Sequence, residues 1–269
     1  MIELDGAVVC VTGGARGIGR ATAEALARRG AQVLIGDLDA DEAERTAAQI
    51  GVHATHLDVT DPASVAAFRD DAEQLGPPAM LVNNAGIQYM GPFAEQRLDL
   101  YHREVSVNLL GVINGMHTFL PAMLARDHGH IVNIASMAAK VTTPGMSVYC
   151  ATKYAVAALS RAVRAEIASS AVTLTTVMPT AVHTELTAGV SLDLLPTRQP
   201  EQIAEVIADS VGHPWREVTV PRWLAPAGAV EELMPEPLMQ RLKHLATLRR
   251  PPGDFDTDGR REYLDRIGQ

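Results

Sequence analysis

Thr12-Gly13-Gly14-Ala15-Arg16-Gly17-Ile18-Gly19 follows an apolar run from Ala7 and leads straight into a helical pattern over Gly17 to Arg29. Glycine lets a backbone turn sharply and come close to a ligand, and a helix N-terminus offers free N–H groups with a partial positive charge. Strand, glycines and helix in the first βαβ unit therefore read as a phosphate cradle made by Gly13, Arg16, Gly17, Ile18 and Gly19. A glycine cluster by itself would equally suit a plain strand-to-helix turn.

The rest of the chain repeats this alternation. Strands are expected at Ala7 to Thr12, Gln32 to Asp37, His53 to Asp58, Met80 to Asn84, His130 to Ile134, Thr173 to Met178 and Glu217 to Val220. Helices are expected at Gly17 to Arg29, Ala40 to Ile50, Pro62 to Leu75, Leu98 to Arg126, Val148 to Ala168 and Pro200 to Val211. Alternating β and α elements imply an α/β fold, a doubly wound parallel sheet of about seven strands with helices on both faces. No internal linker is visible, so residues 1–269 read as one domain, with a core from about 5 to 220 and a C-terminal helical extension over 221–269.

Asp37 closes the second strand. A carboxylate there can accept hydrogen bonds from an adenosine ribose and would repel a 2′-phosphate, which favours NAD over NADP. Arg16 pulls the other way, because a guanidinium in the glycine loop could hold that phosphate. Asp37 is given the greater weight.

Tyr149 and Lys153 are four apart in an alanine-rich helical stretch and so share a helix face. A nearby cation favours the phenolate and would bring the tyrosine toward acid/base strength at neutral pH. Ser136 follows a buried-strand pattern, His130 to Ile134, so its hydroxyl is expected at a strand's carboxyl end, where open α/β sheets bind ligands. Alone, the tyrosine and lysine would suit an ordinary amphipathic helix.

Composition narrows the function further. A net charge of −9 opposes non-specific binding to nucleic acid or anionic membranes. No apolar run reaches the ~18 residues of a spanning helix, and the basic start of a signal peptide is missing, so a soluble, cytoplasmic protein is expected. Cys10 and Cys150 are too few for a disulfide framework, and the nine histidines form no metal-ligand cluster.

With these residues in view the chain resembles the short-chain dehydrogenase/reductase family. The matching pieces are Thr12-Gly13-x-x-x-Gly17-Ile18-Gly19, Asp58-Val59, Asn83-Asn84-Ala85-Gly86, Asn108, Ser136 and Tyr149-x-x-x-Lys153, in the family's order over roughly residues 5 to 220. The resemblance implies a Rossmann fold, an NAD cofactor and Asn108, Ser136, Tyr149 and Lys153 as catalytic residues. It also implies that Asp58 and the Val59 backbone hold the adenine, while Asn84, Ala85 and Gly86 line the adenosine side. Asn108 would sit at an interruption of its helix and pass protons through a water. Lys153 would hold the nicotinamide ribose and lower the tyrosine pKa. Pro179, the Val182 backbone and the Thr184 hydroxyl would meet the nicotinamide. Thr180 stands where the family usually has glycine, which questions the local backbone shape. The family further implies a homodimer or homotetramer.

Beyond the shared motifs, three loops (Gln88 to Phe93, Met137 to Met146 and His183 to Gln199) are expected to build the substrate pocket. Met90, Met137, Met146, Leu186, Leu192, Leu194 and Leu195 make them apolar and adaptable, with His183 a candidate polar contact beside Ser136 and Tyr149. Core packing would explain the same residues. Ala229 to Leu248 reads as two short helices or one kinked helix, interrupted by Pro235 and Pro237, packed in the protein or an oligomer. From Pro251 on, the polar composition suggests poor order. The expected activity is NAD-dependent interconversion of a small hydrophobic secondary alcohol and its ketone. The alternatives are an NADP-linked carbonyl reductase and a non-catalytic dinucleotide-binding regulator.

Overall fold

Every residue of the strand Val8–Thr12 (β1) is buried, and its side chains divide between two cores. Val9 and Val11 face one helical layer while Val8 and Cys10 face the other, as the period of two along a strand requires. A parallel strand buried on both faces reads as a continuous apolar run, which is why β1 shows no polar alternation.

The computed structural model describes residues 2–187, 196–213, 215–239, 241 and 257–268. Its strands are β1, β2 (Gln32–Asp37), β3 (His53–His56), β4 (Pro78–Asn83), β5 (His130–Ile134), β6 (Thr173–Pro179) and β7 (Glu217–Val220). They form one parallel sheet in the order β3-β2-β1-β4-β5-β6-β7. After β3 the chain crosses back to place β4 against β1. The strand order thus reverses between β1 and β4, and a crevice opens at their carboxyl ends.

The helices are α1 (Gly17–Ala27), α2 (Ala40–Ile50), α3 (Pro62–Leu75), α4 (Leu98–Val105), α5 (Gly111–Ala125), α6 (Ser147–Glu166), α7 (Pro200–Asp209), α8 (Ala227–Leu233) and α9 (Thr257–Ile267). Through β7 the element ends lie within two residues of expectation, apart from the helix expected over Leu98 to Arg126. That helix is interrupted by a π-helical segment, Ser106–Leu110, which separates α4 from α5. By length and composition the stretch Leu98–Ala125 is apolar enough to cross a membrane, contrary to expectation. In this fold it lies against the sheet and α6, with Glu104, Asn108, Met116, Phe119 and Met123 buried.

Local chemistry fixes several helix starts. Asp39 accepts the Glu42 N–H to begin α2, and Asp61 accepts the Ala63 N–H ahead of Pro62 in α3. α1 is the exception that matters. Its N-cap, Arg16, makes no side-chain capping bond, so the first N–H groups of α1 stay available at the crevice.

The C-terminal region departs most from expectation. α8 ends at Met234, whose backbone is extended, and helix resumes over 236–239 and at 241, as a proline-interrupted pair requires. Residues 240 and 242–248 lie outside the described ones, as do Leu192, Leu194 and Leu195. Ala227 faces the crevice and Glu231 takes the Thr142 N–H and hydroxyl, whereas Val230 and Leu233 are left exposed by this chain. The polar tail expected to be poorly ordered forms α9 over 257–267. Arg260, Tyr263 and Ile267 recur at helical spacing and are buried.

One buried titratable group links the sheet to pH. His130 opens β5 fully buried, its ring nitrogens bonded to Thr173 Oγ1 at 2.7 Å and Ser210 Oγ at 2.8 Å. Burial pulls its pKa down to about 4. A neutral histidine held below its unfolded value near ~6.5 contributes stability above that value and loses it as pH falls toward 4, up to ~3 kcal/mol. Urea unfolding of the protein is expected to weaken steadily between about pH 6.5 and 4, and His130→Gln should flatten that part of the curve.

Candidate active site

The crevice between β1 and β4 is held together by one threonine. Thr12 Oγ1 accepts the backbone N–H groups of Asn84 and Ala85 at 3.0 Å each, and the Asn84 side chain donates to the carbonyls of Thr12 and Gly13 at 2.9 Å. The glycine loop is thereby pinned to the end of β4. A Cβ on Gly19 would lie 2.0 Å from the Gly13 carbonyl oxygen, and one on Gly13, whose φ is +64°, would lie 2.8 Å from Ala85 Cα. These two positions accept only glycine.

Gly13, Arg16, Gly17, Ile18, Asp37, Asp58, Val59, Asn84, Ala85, Gly86, Pro179, Val182 and Thr184 all line one cavity of about 760 Å³. Gly19 does not line it; its role is the close contact of α1 with the loop. Asp37 stands at the end of β2, accepting the Ala15 N–H at 3.1 Å and the Asp39 N–H at 3.2 Å. Arg16 turns from the loop toward carboxylates. It pairs with Asp39 at 2.8 Å, Glu42 at 3.6 Å and Glu185 at 3.7 Å. The guanidinium that seemed available to a 2′-phosphate is already surrounded by negative charge. Asp58 turns its Oδ1 to Thr60, accepting both the backbone N–H at 2.8 Å and the hydroxyl at 2.7 Å. Thr180 has no strained backbone, since Asp127 is the only non-glycine with positive φ among the described residues. Its N–H bonds the Val220 carbonyl at 2.9 Å, so the missing glycine has not distorted the segment.

Ser136, Tyr149 and Lys153 meet in the same cavity. Ser136 follows β5, and its Oγ accepts the Ala138 N–H at 3.1 Å, which starts a short 3₁₀ turn and fixes the hydroxyl. Tyr149 hydrogen-bonds Ser136. Lys153 Nζ donates to the Ile134 carbonyl at 3.0 Å and lies 5.6 Å from the Tyr149 ring centre. Both side chains are buried, and this corrects the expected electrostatics. Burial pushes the Tyr149 pKa well above the ordinary tyrosine value, opposed by the Ser136 hydrogen bond and reinforced by Tyr263, Glu104 and Cys150. Burial also pulls Lys153 down to about 8, against the opposing pull of Glu104. Desolvation outweighs the ammonium's help to the phenolate in the protein alone.

Asn108 sits fully buried in the π-helical segment, outside the cavity wall. Its Oδ1 accepts the Ile87 N–H and its Nδ2 donates to the Ile87 carbonyl, both at 2.8 Å. A Cβ on Gly86 would come 3.2 Å from Asn108 Oδ1 and 3.6 Å from Lys153 Nζ. Asn108 therefore anchors the segment after β4 that runs past the lysine head group.

Met90, Met137, Met146 and Leu186 line the cavity as expected, but His183 does not: it is exposed, and its backbone N–H is tied to the Arg198 carbonyl at 3.0 Å. Sequence reasoning placed Gln88 at the start of a pocket loop but missed Arg103, Glu104, Tyr263, Arg266 and Ile267. Tyr263 is the largest omission. Its hydroxyl accepts the Gln88 N–H at 2.8 Å, and its ring lies between the guanidinium groups of Arg260 at 4.8 Å and Arg266 at 5.5 Å. Arg260 donates to the Leu186 carbonyl at 2.9 Å and the Gln88 carbonyl at 3.0 Å, and Arg266 bridges to Glu185. The spacing of Arg260, Tyr263, Leu264 and Ile267 was the available signal.

Residues 7–194 match the family model described as short chain dehydrogenase. The chain belongs to the short chain dehydrogenase family. Among relatives of this short chain dehydrogenase is the probable oxidoreductase EphD of Mycobacterium tuberculosis, 41% identical over 189 residues. That match covers 67% of the chain but 32% of EphD, so the chain spans about a third of that relative's length. The 2,5-dichloro-2,5-cyclohexadiene-1,4-diol dehydrogenase LinX of Sphingobium indicum is 34% identical over 218 residues, covering 79% of the chain and 86% of LinX. A crystal structure of a short chain dehydrogenase/reductase from Burkholderia phymatum in complex with NAD superposes with a TM-score of 0.76 at 26% identity, covering 94% of this chain and 99% of that one. Seven parallel strands and the motif-bearing crevice make this chain a family member in fold as well as sequence.

Proposed function

We propose that this short chain dehydrogenase interconverts a hydrophobic secondary alcohol and its ketone with NAD as cofactor. The observation that carries the reading is the convergence of Ser136, Tyr149 and Lys153 on one cavity whose other end is the glycine cradle under Asp37. The cradle fits a dinucleotide: two positions accept only glycine, α1 presents uncapped N–H groups, and Asp37 keeps lone pairs for a ribose diol. The NAD-bound Burkholderia structure and the diol dehydrogenase relative support the same choice.

In alcohol oxidation Tyr149 Oη takes the hydroxyl proton while Ser136 Oγ holds the same oxygen in place. NAD, when bound, supplies the hydride-accepting chemistry. Lys153 keeps positive charge beneath Tyr149 and is positioned to hold a ribose hydroxyl. Burial of both side chains excludes water, so the proton passes at a defined atom and the charges act at full strength. The methionines and Leu186 favour an apolar substrate, and Tyr263 and Ile267 close its far side.

The same reading takes the protein to be one domain and a soluble cytoplasmic homodimer or homotetramer, with exposed Leu110, Ile113 and Leu124 on the π-helical segment and α5 available to a second copy. The deciding experiment is NADH formation from NAD⁺ with secondary alcohols ranging from short aliphatic to steroid-sized. Turnover that rises with apolar bulk is expected. Absence of turnover with every alcohol and every matching ketone, together with intact NADH binding, would favour the non-catalytic regulator.

A further inference from the structure

Glu104 is a buried carboxylate that the reaction above does not use. It lies on α4, four residues before Asn108, and is fully buried. Its Oε1 accepts the Tyr89 backbone N–H at 3.1 Å, while Oε2 has no hydrogen-bond partner. An isolated carboxylate in such a place is costly unless an opposite charge faces it or it takes a proton.

The charged group acting on Glu104 is Lys153, and the charged group acting on Lys153 is Glu104. No direct ion pair joins them among the described residues, so the coupling acts across the packed contact of α4 with α6. The other groups around Glu104 are known. Glu104 in turn bears on Tyr149 of α6, on Tyr89 after β4 and on Tyr101 of α4; Tyr89 also feels Arg97, Asp99 and Arg103, and Tyr149 feels Cys150 and Tyr263 of α9. Among these, Arg97 and Arg103 add positive charge, and both are exposed. Burial raises the Glu104 pKa to about 7, with the Tyr89 N–H and Lys153 opposing, so its charge changes in the neutral range.

We propose that Glu104 is a positioning residue for the reaction: the internal countercharge that keeps Lys153 cationic beneath Tyr149. The inference rests on the oxidoreductase reading above and deepens it. Ionised Glu104 raises the proton affinity of both Lys153 and Tyr149, so removing its charge lowers both. Alcohol oxidation improves as Tyr149 gives up its proton and fails as Lys153 loses its charge. Both limbs of the pH–rate profile should therefore move to lower pH in Glu104→Gln, which keeps an oxygen for the Tyr89 N–H.

The test begins without cofactor or substrate. The chain has three lysines, Lys140, Lys153 and Lys243, so carbon-13 labelling of the lysine ε-carbons gives a resolvable titration. Lys153 is expected to titrate near about 8 in the wild type and at least ~0.5 lower in Glu104→Gln, with Glu104→Asp staying close to wild type. The kinetic arm expects both limbs of the oxidation profile of Glu104→Gln to move acidward by a similar amount. A structural role alone would lower stability and leave both titrations in place, and that result overturns the proposal. Should Glu104→Gln fail to fold, the wild type decides: the Lys153 resonance must show a second inflection near 7, and a single inflection overturns the inference. Failure of wild-type turnover would count against the oxidoreductase reading, while the lysine titration would still decide the link between Glu104 and Lys153.

Discussion

Tyr149→Phe lowers turnover by about 10³-fold and leaves NADH affinity within about threefold of wild type. The substitution deletes one hydroxyl and keeps a ring of nearly the same volume, so the wall around it, including Ala138, Cys150 and Met146, is preserved. What disappears is the atom that exchanges a proton with the alcohol and the hydrogen bond to Ser136. Lys153→Ala behaves differently. It removes a buried cation bonded to the Ile134 carbonyl and leaves Glu104 without its countercharge, so turnover and cofactor affinity fall together. Stopped-flow turnover and fluorescence titration separate the two patterns. A phenylalanine variant retaining a tenth of wild-type rate would remove Tyr149 from the proton transfer.

NAD is expected to win over NADP in kcat/KM by at least ~100-fold, equivalent to about 2.7 kcal/mol. The 2′-phosphate of NADP would have to stand against Asp37, and even at an effective dielectric of ~20 such a like-charge contact costs several kcal/mol. Arg16 cannot compensate as a free guanidinium would, because Asp39, Glu42 and Glu185 already surround it. Asp37→Ala alone should narrow the preference to about tenfold, since it removes repulsion without supplying a cation. Adding Asp39→Ala, which removes the nearest of the three carboxylates around Arg16, should narrow the preference further. The measurement is kcat/KM for both cofactors with one alcohol in all three proteins. A wild type that prefers NADP would show Arg16 leaving its carboxylates to take the phosphate.

The fold was legible because its signals are local. Val8 to Thr12 is apolar on both faces, the glycines follow at once, and each later strand is separated by a helical pattern, so the elements follow from periodicity, whereas the strand order in the sheet does not. The site was legible where chemistry is concentrated in short motifs, as with Tyr149 and Lys153 one helical turn apart. It was not legible where a role depends on burial. Glu104 looks like any charged residue of a surface helix until α6 and the segment at Tyr89 close over it. The Tyr149 pKa was read in the wrong direction for the same reason: spacing reveals the lysine, while the surrounding apolar mass is a property of the folded chain. His183 failed in the opposite sense, a polar residue in a promising loop whose ring stays outside the cavity wall. The tail was judged by its polarity, although three of its side chains, Arg260, Tyr263 and Ile267, meet the rest of the chain through buried contacts.

α9 divides the inheritance of this enzyme in two. The sheet, the glycine cradle and the Ser136, Tyr149 and Lys153 group depend on residues before about 220, whereas the far wall depends on a helix whose contacts reach back across 172 to 178 positions of sequence. That helix packs on Tyr89, on Leu100 of α4 and on the turn at Glu185 and Leu186. Substitutions at Ile267 can therefore alter the room offered to a substrate while the sheet stays in place, whereas Tyr263 also bears on the Tyr149 pKa. One wall of the cavity is thus carried by a stretch of sequence remote from the residues that form the cradle and from Ser136, Tyr149 and Lys153.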